Sequence, residues 1–258
     1  REYPKVYQEL REKKSAKETT GKADNYYSIV PLELHYNEWI ANHTIEELKK
    51  MPEEQPFFMW CSFPDPHFPF GPPAPYYDRY RPEEMPDPID DRAKMNELYH
   101  VEYYEERGEE SIDGGPCAYT LEQIKETKAL AWGMVQHVDD CVGRVMQYLE
   151  QSGKKENTVV IFLADHGELM GDHGMYCKGP FHYEGLLHVP MAMSWPGHFA
   201  ESKKTKALVS ILDFMPTILE LAGIEYPCGP VKPWEGPFEG KELYTESPLP
   251  GKSLVPLL

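Results

Sequence analysis

Residues 161–197 read IFLADHGELMGDHGMYCKGPFHYEGLLHVPMAMSWPG, and this stretch decides the fold. It opens inside the apolar run Thr158–Ala164 and closes on a second apolar run, Val189–Trp195, which stops at a Pro-Gly pair. Apolar runs without polar alternation are typical of strands in a parallel sheet that is covered on both faces. Asp165 and His166 follow the first run directly, so polar chemistry is expected just beyond a strand end.

The segments upstream of this stretch alternate between strand and helix patterns. The apolar run 56–63 predicts a strand, and the tetrapeptide TLEQ at 120–123 is a capping box that opens an apolar helical stripe reaching Leu149. A helix over 120–152 would be about 45 Å long, at about 1.5 Å per residue. Strand, long helix and strand in this order are typical of parallel α/β sheets.

Two further helices are predicted on either side of this unit. Near-helical apolar spacing predicts a helix over 34–50, which Pro52 closes because proline cannot continue the hydrogen-bond ladder. The segment 207–222 predicts a buried helix in which Pro216 kinks the chain or opens the main segment, with Gly223 at its end.

The composition argues against several classes of protein. The 258 residues contain 26 Lys and Arg against 43 Asp and Glu, a net charge of −17, which disfavours nucleic-acid binding. No apolar run approaches the roughly 20 residues that span a bilayer, so no membrane span is expected. The five cysteines are odd in number and widely spaced, so a disulfide framework is not expected. The cysteines therefore do not indicate a cellular compartment.

Asp165 and His166 are candidate metal ligands. A carboxylate and an imidazole at a strand end, relieved by Gly167, can present two ligand atoms to one divalent cation. The alternative is that Asp165 caps the following turn while His166 bonds locally. The pattern recurs at Asp172 and His173, for which a structural role is expected because one metal seldom needs two such pairs.

His67 and Lys178 are candidates for handling an anion. His67 lies in the rigid segment PDPHFPF at 64–70, where it could donate to an anion or move a proton, or else bond to backbone. Lys178 follows a turn-rich segment and could bind an oxyanion as a compact charge, or else remain solvated. His182 and Glu184 border the same loop as candidate supporting groups.

Four blocks of the sequence together resemble a known family. They are FFMWCSFPDPHFPF at 57–70, VDDCVGRVMQYL at 138–149, the stretch 159–197, and GKSL at 251–254. Asp-His-Gly, Gly-Asp-His-Gly, Lys-Gly-Pro and a Val-Pro strand, in this order, resemble the sulfatase family of the alkaline-phosphatase superfamily of metal-dependent hydrolases. The resemblance covers roughly residues 34–258.

The resemblance implies a fold and a division of the chain. The expected fold is α/β, an alkaline-phosphatase-like sandwich with a largely parallel sheet and helices on both faces, incomplete in this chain. Residues 1–33 are then a polar arm or loop, and residues 34–258 are the middle and later part of a catalytic domain.

The resemblance also implies roles for the candidate residues. Asp165 and His166 match the metal pair of the family, His67 matches the histidine that contacts the sulfate group and the leaving oxygen, and Lys178 matches the lysine that binds a sulfate oxygen. The metal is expected to be divalent, with Ca²⁺ as the first choice and Mg²⁺ or Mn²⁺ as alternatives. The family nucleophile is a formylglycine made within the motif Cys/Ser-x-Pro-x-Arg, and this sequence does not contain that motif. The formylglycine is therefore expected in an N-terminal part of the protein that lies outside this chain. This chain should be inactive alone.

Three functions follow from these expectations. The first is a sulfuric ester hydrolase that releases inorganic sulfate from a sulfated small molecule or carbohydrate. The second is a phosphonate monoester or phosphodiester hydrolase of the same superfamily. The third is a shortened relative that binds a ligand or partner without cleaving it.

Overall fold

The computed structural model describes six stretches of the chain: residues 15–21, 24–52, 54–90, 119–179, 181–225 and 251–258. The chain divides into two compact units, residues 1–192 and residues 193–258. About half of the polar arm predicted over residues 1–33, namely residues 1–14, 22 and 23, lies outside the described residues, and so do residues 91–118.

Helix α1 of the first unit spans Tyr36–Lys50, so the helix predicted over 34–50 is confirmed. His35 caps it, because its imidazole accepts a hydrogen bond from the backbone N–H of Asn37, which has no carbonyl partner in the first turn. The helix ends at Met51, directly before Pro52, as expected from the missing proline donor.

Helix α2, Leu121–Gln151, is the longest element and confirms the helix predicted over 120–152. The predicted capping box is present, since Thr120 and Gln123 each bond the backbone N–H of the other. The apolar stripe packs into a core cluster, and each fully buried aliphatic side chain of this kind contributes roughly 1.5–3 kcal/mol. The buried members of the cluster are Phe70, Leu130, Ala131, Met134, Tyr176 and Cys177. No helix in the described stretches is both long and apolar enough to cross a membrane.

The segment before α1 is fixed to α2 by a buried carboxylate. Glu126 is 2% exposed, and its oxygens accept hydrogen bonds from the backbone N–H and hydroxyl of Thr20, at 3.1 and 2.6 Å. The Asn25 amide and the Tyr27 hydroxyl donate to the same carboxylate at 3.3 and 3.1 Å. Charge-assisted bonds of this kind compensate the cost of burying the charge.

Strands β1, Val160–Leu163, and β2, Met191–Ser194, form a two-stranded sheet, and the short helix α3, Glu184–Leu187, precedes β2. The two strands predicted within 158–164 and 189–195 are therefore confirmed, and the fold class is α/β as expected.

The third predicted strand, over 56–63, is wrong. This segment has no regular secondary structure, no described residue pairs with it as a strand neighbour, and the side chains of Phe58 and Trp60 are each 68% exposed. An apolar run becomes a strand only where another backbone accepts bonds from its N–H groups and donates bonds to its C=O groups. The apolar pattern alone cannot supply that neighbour.

The second unit contains helix α4, Phe214–Leu221, preceded by a 3₁₀ turn at Ile211–Asp213. The helix predicted over 207–222 therefore starts later, with Pro216 in its first turn, where a missing donor costs nothing. The expectation that it is buried is wrong in part, because Met215 is 53% exposed. Its inner side is fixed by Thr217, whose hydroxyl accepts the N–H of Leu254 at 2.8 Å.

Candidate anion and metal site

His67 lies in the loop that joins the segment 56–63 to the core residue Phe70. Its backbone N–H bonds the carbonyl of Pro64 at 3.0 Å, which closes a tight turn. Its ring Nδ1 lies 2.6 Å from the carbonyl oxygen of Phe68. A carbonyl only accepts, so Nδ1 carries the proton and Nε2 keeps its lone pair.

Lys178 provides the partner of that lone pair. Its Nζ lies 2.7 Å from Nε2 of His67, so the ammonium donates and the imidazole accepts. The same ammonium lies 5.5 Å from the centre of the Phe68 ring, within the range of a cation–π contact. The structure thus brings together two of the four candidate residues. The Lys178 ammonium and the Nε2 atom of His67 are adjacent, so one bound anion could contact both.

Asp165 and His166 form the second half of the candidate site. The Asp165 carboxylate accepts the N–H of His166 at 3.0 Å through Oδ1, and the ring Nδ1 of His166 lies 2.8 Å from the carbonyl oxygen of Gly167. These bonds leave Asp165 Oδ2 and His166 Nε2 as lone-pair atoms, 3.6 Å apart.

This pair fits a divalent cation as a partial site. Two ligand atoms 3.6 Å apart are compatible with one cation bonded to each at roughly 2.0–2.5 Å. A histidine ligand usually gives its second N–H to a carbonyl or carboxylate, as His166 does to Gly167. The Asp165 side chain is 88% exposed, which leaves room for further ligands, and a cation of the calcium type needs six to eight of them.

Glu168 lies in the chain between the metal pair and Lys178 and was not among the predicted site residues. Its Oε1 accepts the N–H groups of Leu169 and Met170, at 3.0 and 3.3 Å. Burial raises the pKa of Glu168, whereas these two bonds and the charges of Lys178 and His166 lower the pKa. Glu168 is therefore within electrostatic range of both halves. The only sequence signal for it is its position directly after Asp-His-Gly.

Gly167 allows the candidate metal loop to pack against α3. A Cβ at this position would lie 1.8 Å from the carbonyl oxygen of Gly185, so no other residue fits without moving the backbone. The N–H of Gly167 donates to the carbonyl of Leu186 at 2.9 Å. The loop bearing Asp165 and His166 is therefore held to α3 by main-chain contacts.

The second Asp-His pair has structural contacts, as expected. Asp172 accepts the N–H of Ile89 at 3.0 Å, and its Oδ1 lies 3.7 Å from Nζ of the largely buried Lys128. His173 stacks on Tyr183, with ring centres 4.1 Å apart.

The predicted supporting groups His182 and Glu184 are both exposed. The carboxylate of Glu184 contacts His188, the residue directly after α3, at 2.6 Å. The structure therefore gives Glu184 a local contact, and the contacts that hold the loop come from Gly167 and Glu168 instead.

The sequence is similar to characterised and uncharacterised hydrolases. The family profile for sulfatases matches residues 4–224. An arylsulfatase from Clostridium perfringens is 36% identical over 197 residues, which are 75% of this chain and 40% of that protein. The multifunctional alkaline phosphatase superfamily protein PehA from Trinickia caryophylli is 31% identical over 209 residues, covering 78% of this chain and 40% of that protein.

The fold has a close counterpart among solved structures. The phosphonate monoester hydrolase of Agrobacterium radiobacter matches with a TM-score of 0.75 and 25% identity, over 95% of this chain and 46% of that chain. This match confirms the predicted alkaline-phosphatase-like α/β fold. The chain spans about 40% of the length of the curated relatives named above. With a profile match over most of its length and this fold, the chain belongs to the sulfatase family.

Proposed function

We propose that the protein containing this chain hydrolyses sulfate esters and releases inorganic sulfate. The observation that carries the proposal is the 2.7 Å contact between Lys178 Nζ and His67 Nε2. It places a cation next to a side chain that can carry a proton. Membership of the sulfatase family and the similarity to an arylsulfatase support the reaction class.

Lys178 binds a non-bridging oxygen of the ester in this proposal. In the free site the ammonium donates to His67, and an incoming sulfate oxygen is a better acceptor because it carries negative charge. The exchange of partners keeps Lys178 bonded throughout and places its charge where the anion develops more charge in the transition state.

His67 protonates the leaving oxygen. The bond from Nδ1–H to the Phe68 carbonyl fixes the ring, so Nε2 remains directed at the site. When the substrate becomes the acceptor of the Lys178 ammonium, Nε2 takes up a proton from solvent water and then donates it to the departing alkoxide, which leaves as the alcohol. The Phe68 carbonyl then stabilises the charged ring through the bond that it already accepts.

Asp165 and His166 hold the divalent metal through Oδ2 and Nε2, and Ca²⁺ is the first choice because the open side of Asp165 accepts additional oxygen ligands. Mg²⁺ and Mn²⁺ are alternatives, since one ligand is an imidazole. When bound, the ion neutralises the negative charge of the ester group. Glu168 fixes the loop between this pair and Lys178 through its two backbone bonds.

The nucleophile is the part of the reaction that this chain does not contain. No Cys/Ser-x-Pro-x-Arg motif occurs in its 258 residues. We therefore propose a formylglycine in sequence outside this chain, and we expect residues 1–258 alone to bind anions without turnover. The substrate is proposed to be a sulfated small molecule or carbohydrate.

A phosphonate monoester or phosphodiester hydrolase is the second candidate. The match to the Agrobacterium radiobacter phosphonate monoester hydrolase favours it. Sulfate monoesters and phosphodiesters both carry one negative charge, so Lys178 and the metal pair would attract them equally. Discrimination between the two ester classes must then depend on the alcohol half of the substrate and on the geometry about sulfur or phosphorus.

The deciding experiment compares three substrates with one leaving group. The full-length protein is assayed with an aryl sulfate, an aryl phosphonate monoester and an aryl phosphodiester, and kcat/KM is measured for each. A larger kcat/KM for the sulfate supports the first proposal, and a larger value for either phosphorus ester transfers the assignment to the second. Binding of inorganic sulfate without turnover of any of the three identifies a non-catalytic relative.

A further inference from the structure

A second group of metal-binding side chains lies buried between α1, α2 and the His67 loop. His35, Asp65 and His137 each offer a ligand atom, and these three atoms lie within 4.8 Å of one another. The residues are 1%, 7% and 0% exposed. None of them belongs to the site formed by Asp165, His166, His67 and Lys178.

The hydrogen bonds around His137 leave a ring nitrogen available to a metal. Nε2 of His137 lies 3.1 Å from a carboxylate oxygen of Glu38, so Nε2–H donates and Nδ1 is an acceptor, whose donor is the Asn37 amide nitrogen at a long distance of 3.4 Å. A carboxylate behind a histidine in this manner is the usual support of a metal-binding imidazole. Tyr76 stacks on the same ring, with centres 4.5 Å apart, and fixes its plane.

His35 packs directly against His137, with the two ring centres 4.8 Å apart. Its Nδ1 accepts only a long bond, 3.3 Å, from the N–H of Asn37.

Asp65 brings a negative charge into this neutral cluster. Its carboxylate accepts bonds from the Tyr36 hydroxyl and, at 2.8 Å, from the Asn37 amide. Within the described stretches, no Lys or Arg forms an ion pair with Asp65, so its charge lacks a cationic partner there. Among the described residues the buried amide oxygen Oδ1 of Asn37 also has no hydrogen-bond partner, because the amide nitrogen is the atom that faces Asp65 and His137. A buried carboxylate and an unbonded buried carbonyl are both costly without a cation.

An overlapping group does not fit a cation. Glu38, His137 and Cys141 also approach one another, but Arg144 lies 2.8 Å from Glu38 and 3.8 Å from the Cys141 sulfur. The guanidinium already supplies the positive charge, and burial, with Glu38 next to it, raises the pKa of Cys141 to about 12, which keeps the thiol protonated. Glu38 is therefore the support of His137 rather than a ligand.

We propose that His35, Asp65 and His137 bind a zinc ion, and that the Asn37 amide turns so that its oxygen becomes the fourth ligand in place of the amide nitrogen that now faces Asp65 and His137. Two imidazoles favour zinc over calcium or magnesium, and a closed site of four ligands is the usual form of a structural zinc. Tetrahedral bonds of about 2.0 Å place ligand atoms about 3.3 Å apart, so the cluster contracts around the ion. A cavity of about 680 Å³ is lined by Glu38 and Tyr76, which both contact His137.

Zinc at this place would fix the loop of the candidate active site. Asp65 is two residues before His67, and the other ligands belong to the start of α1 and the middle of α2. The ion would therefore join both helices to the loop that carries His67. This inference is independent of the proposed function, because it concerns other residues and another metal.

The test measures zinc in the full-length protein. The protein is stripped with a chelator, reloaded with Zn²⁺ or Co²⁺, and analysed by elemental analysis, by the visible spectrum of bound Co²⁺ and by thermal unfolding. We expect one tightly bound zinc, an intense Co²⁺ absorption typical of four-coordination, and a Tm that rises on loading. Glu38→Gln should weaken zinc binding by about 10–100-fold while the ligands stay in place.

Matched variants separate this site from its alternatives. His137→Ala and Asp65→Asn should abolish the bound zinc, whereas His43→Ala, an exposed histidine on α1, and Asp165→Asn should retain it. The inference is overturned if the stripped wild-type protein binds no stoichiometric zinc, or if Co²⁺ shows only the weak spectrum of six-coordination. Zinc that persists in both His137→Ala and Asp65→Asn overturns it as well. The wild-type spectrum decides even if a variant fails to fold.

Discussion

Nζ of Lys178 and Nε2 of His67 lie 2.7 Å apart, although the two residues are separated by 111 positions in the chain. The ammonium must be the donor, so the histidine is an acceptor in the free protein. If an anion accepts the hydrogen bond of the Lys178 ammonium, the ring nitrogen of His67 loses its donor in the same step. One contact thus couples the binding of the ester to the availability of the proton carrier.

Replacing Lys178 by methionine should remove the charge but keep the length of the side chain. Loss of one preorganised donor to a developing anion lowers kcat/KM by about 10²–10³-fold. The measurement is kcat/KM of the full-length protein on an aryl sulfate. Lys50→Met is the control, because Lys50 is an exposed lysine of α1 that pairs with Glu47 on the same helix. Equal activities of the two variants would remove Lys178 from the site.

Replacing Gly167 by alanine should displace the candidate metal loop. The new Cβ would lie 1.8 Å from the Gly185 carbonyl oxygen, and overpacking of this kind costs about 1–3 kcal/mol. We expect weaker metal binding and a lower free energy of unfolding, measured by metal titration and urea denaturation. Gly185→Ala is the matched control, since its nearest neighbour would be 3.8 Å away. A Gly167→Ala protein that binds metal like the wild type would contradict the close packing.

Truncating Glu126 to alanine should detach the segment around Thr20 from α2. The change leaves the donors of Thr20, Asn25 and Tyr27 without their acceptor and should cost about 2–4 kcal/mol. The free energy of unfolding and the rate of proteolytic cleavage near Thr20 report the effect. Glu122→Ala, an exposed glutamate of the same helix, should leave both unchanged. If Glu126→Ala resists proteolysis as well as the wild type does, Glu126 does not hold the Thr20 segment to α2.

The stability of the metal-free protein should depend on the protonation of Asp65. Burial, opposed by the Tyr36 and Asn37 bonds, raises the pKa of Asp65 from 3.8 to about 6. The folded state then binds the proton of Asp65 more tightly than the unfolded state does. The resulting contribution to the free energy of unfolding is complete below about pH 4 and is lost as the pH rises through 6.

The difference between wild type and Asp65→Asn isolates this contribution from that of His35, whose lowered pKa acts in the opposite direction. Urea denaturation in chelator between pH 4 and 7 should show the wild type losing up to about 3 kcal/mol relative to the variant. Parallel curves for the two proteins would show that Asp65 does not titrate in this range.

The elements predicted best were those fixed by local sequence. The capping box at Thr120 and the apolar stripe that follows it define α2 without any distant contact. The segment 56–63 failed for the opposite reason, because a strand depends on a neighbouring backbone that the segment itself does not encode. Exposure of Met215 on α4 has the same cause, since an apolar face does not reveal what covers it.

The candidate site was accessible to sequence reasoning only in part. Asp165, His166, His67 and Lys178 were candidates from their places after a strand pattern or in a rigid loop, but their types and spacings alone also fit ordinary surface residues, so their expected roles came from the family resemblance. Glu168 was missed because its significance depends on burial and on backbone donors that appear only in the folded loop.

The cluster of His35, Asp65 and His137 was also missed. Its members are separated by 30 and 72 positions, and no short motif joins them. Only the packing of α1, α2 and the His67 loop brings them together.

The most direct test is a crystal structure of the full-length protein grown with Mn²⁺ and sulfate, with the metal located by anomalous scattering. We predict a manganese ion bonded to Asp165 and to Nε2 of His166, and a sulfate whose oxygens bond Nζ of Lys178 and Nε2 of His67. Manganese and sulfate bound away from these four side chains would contradict the account.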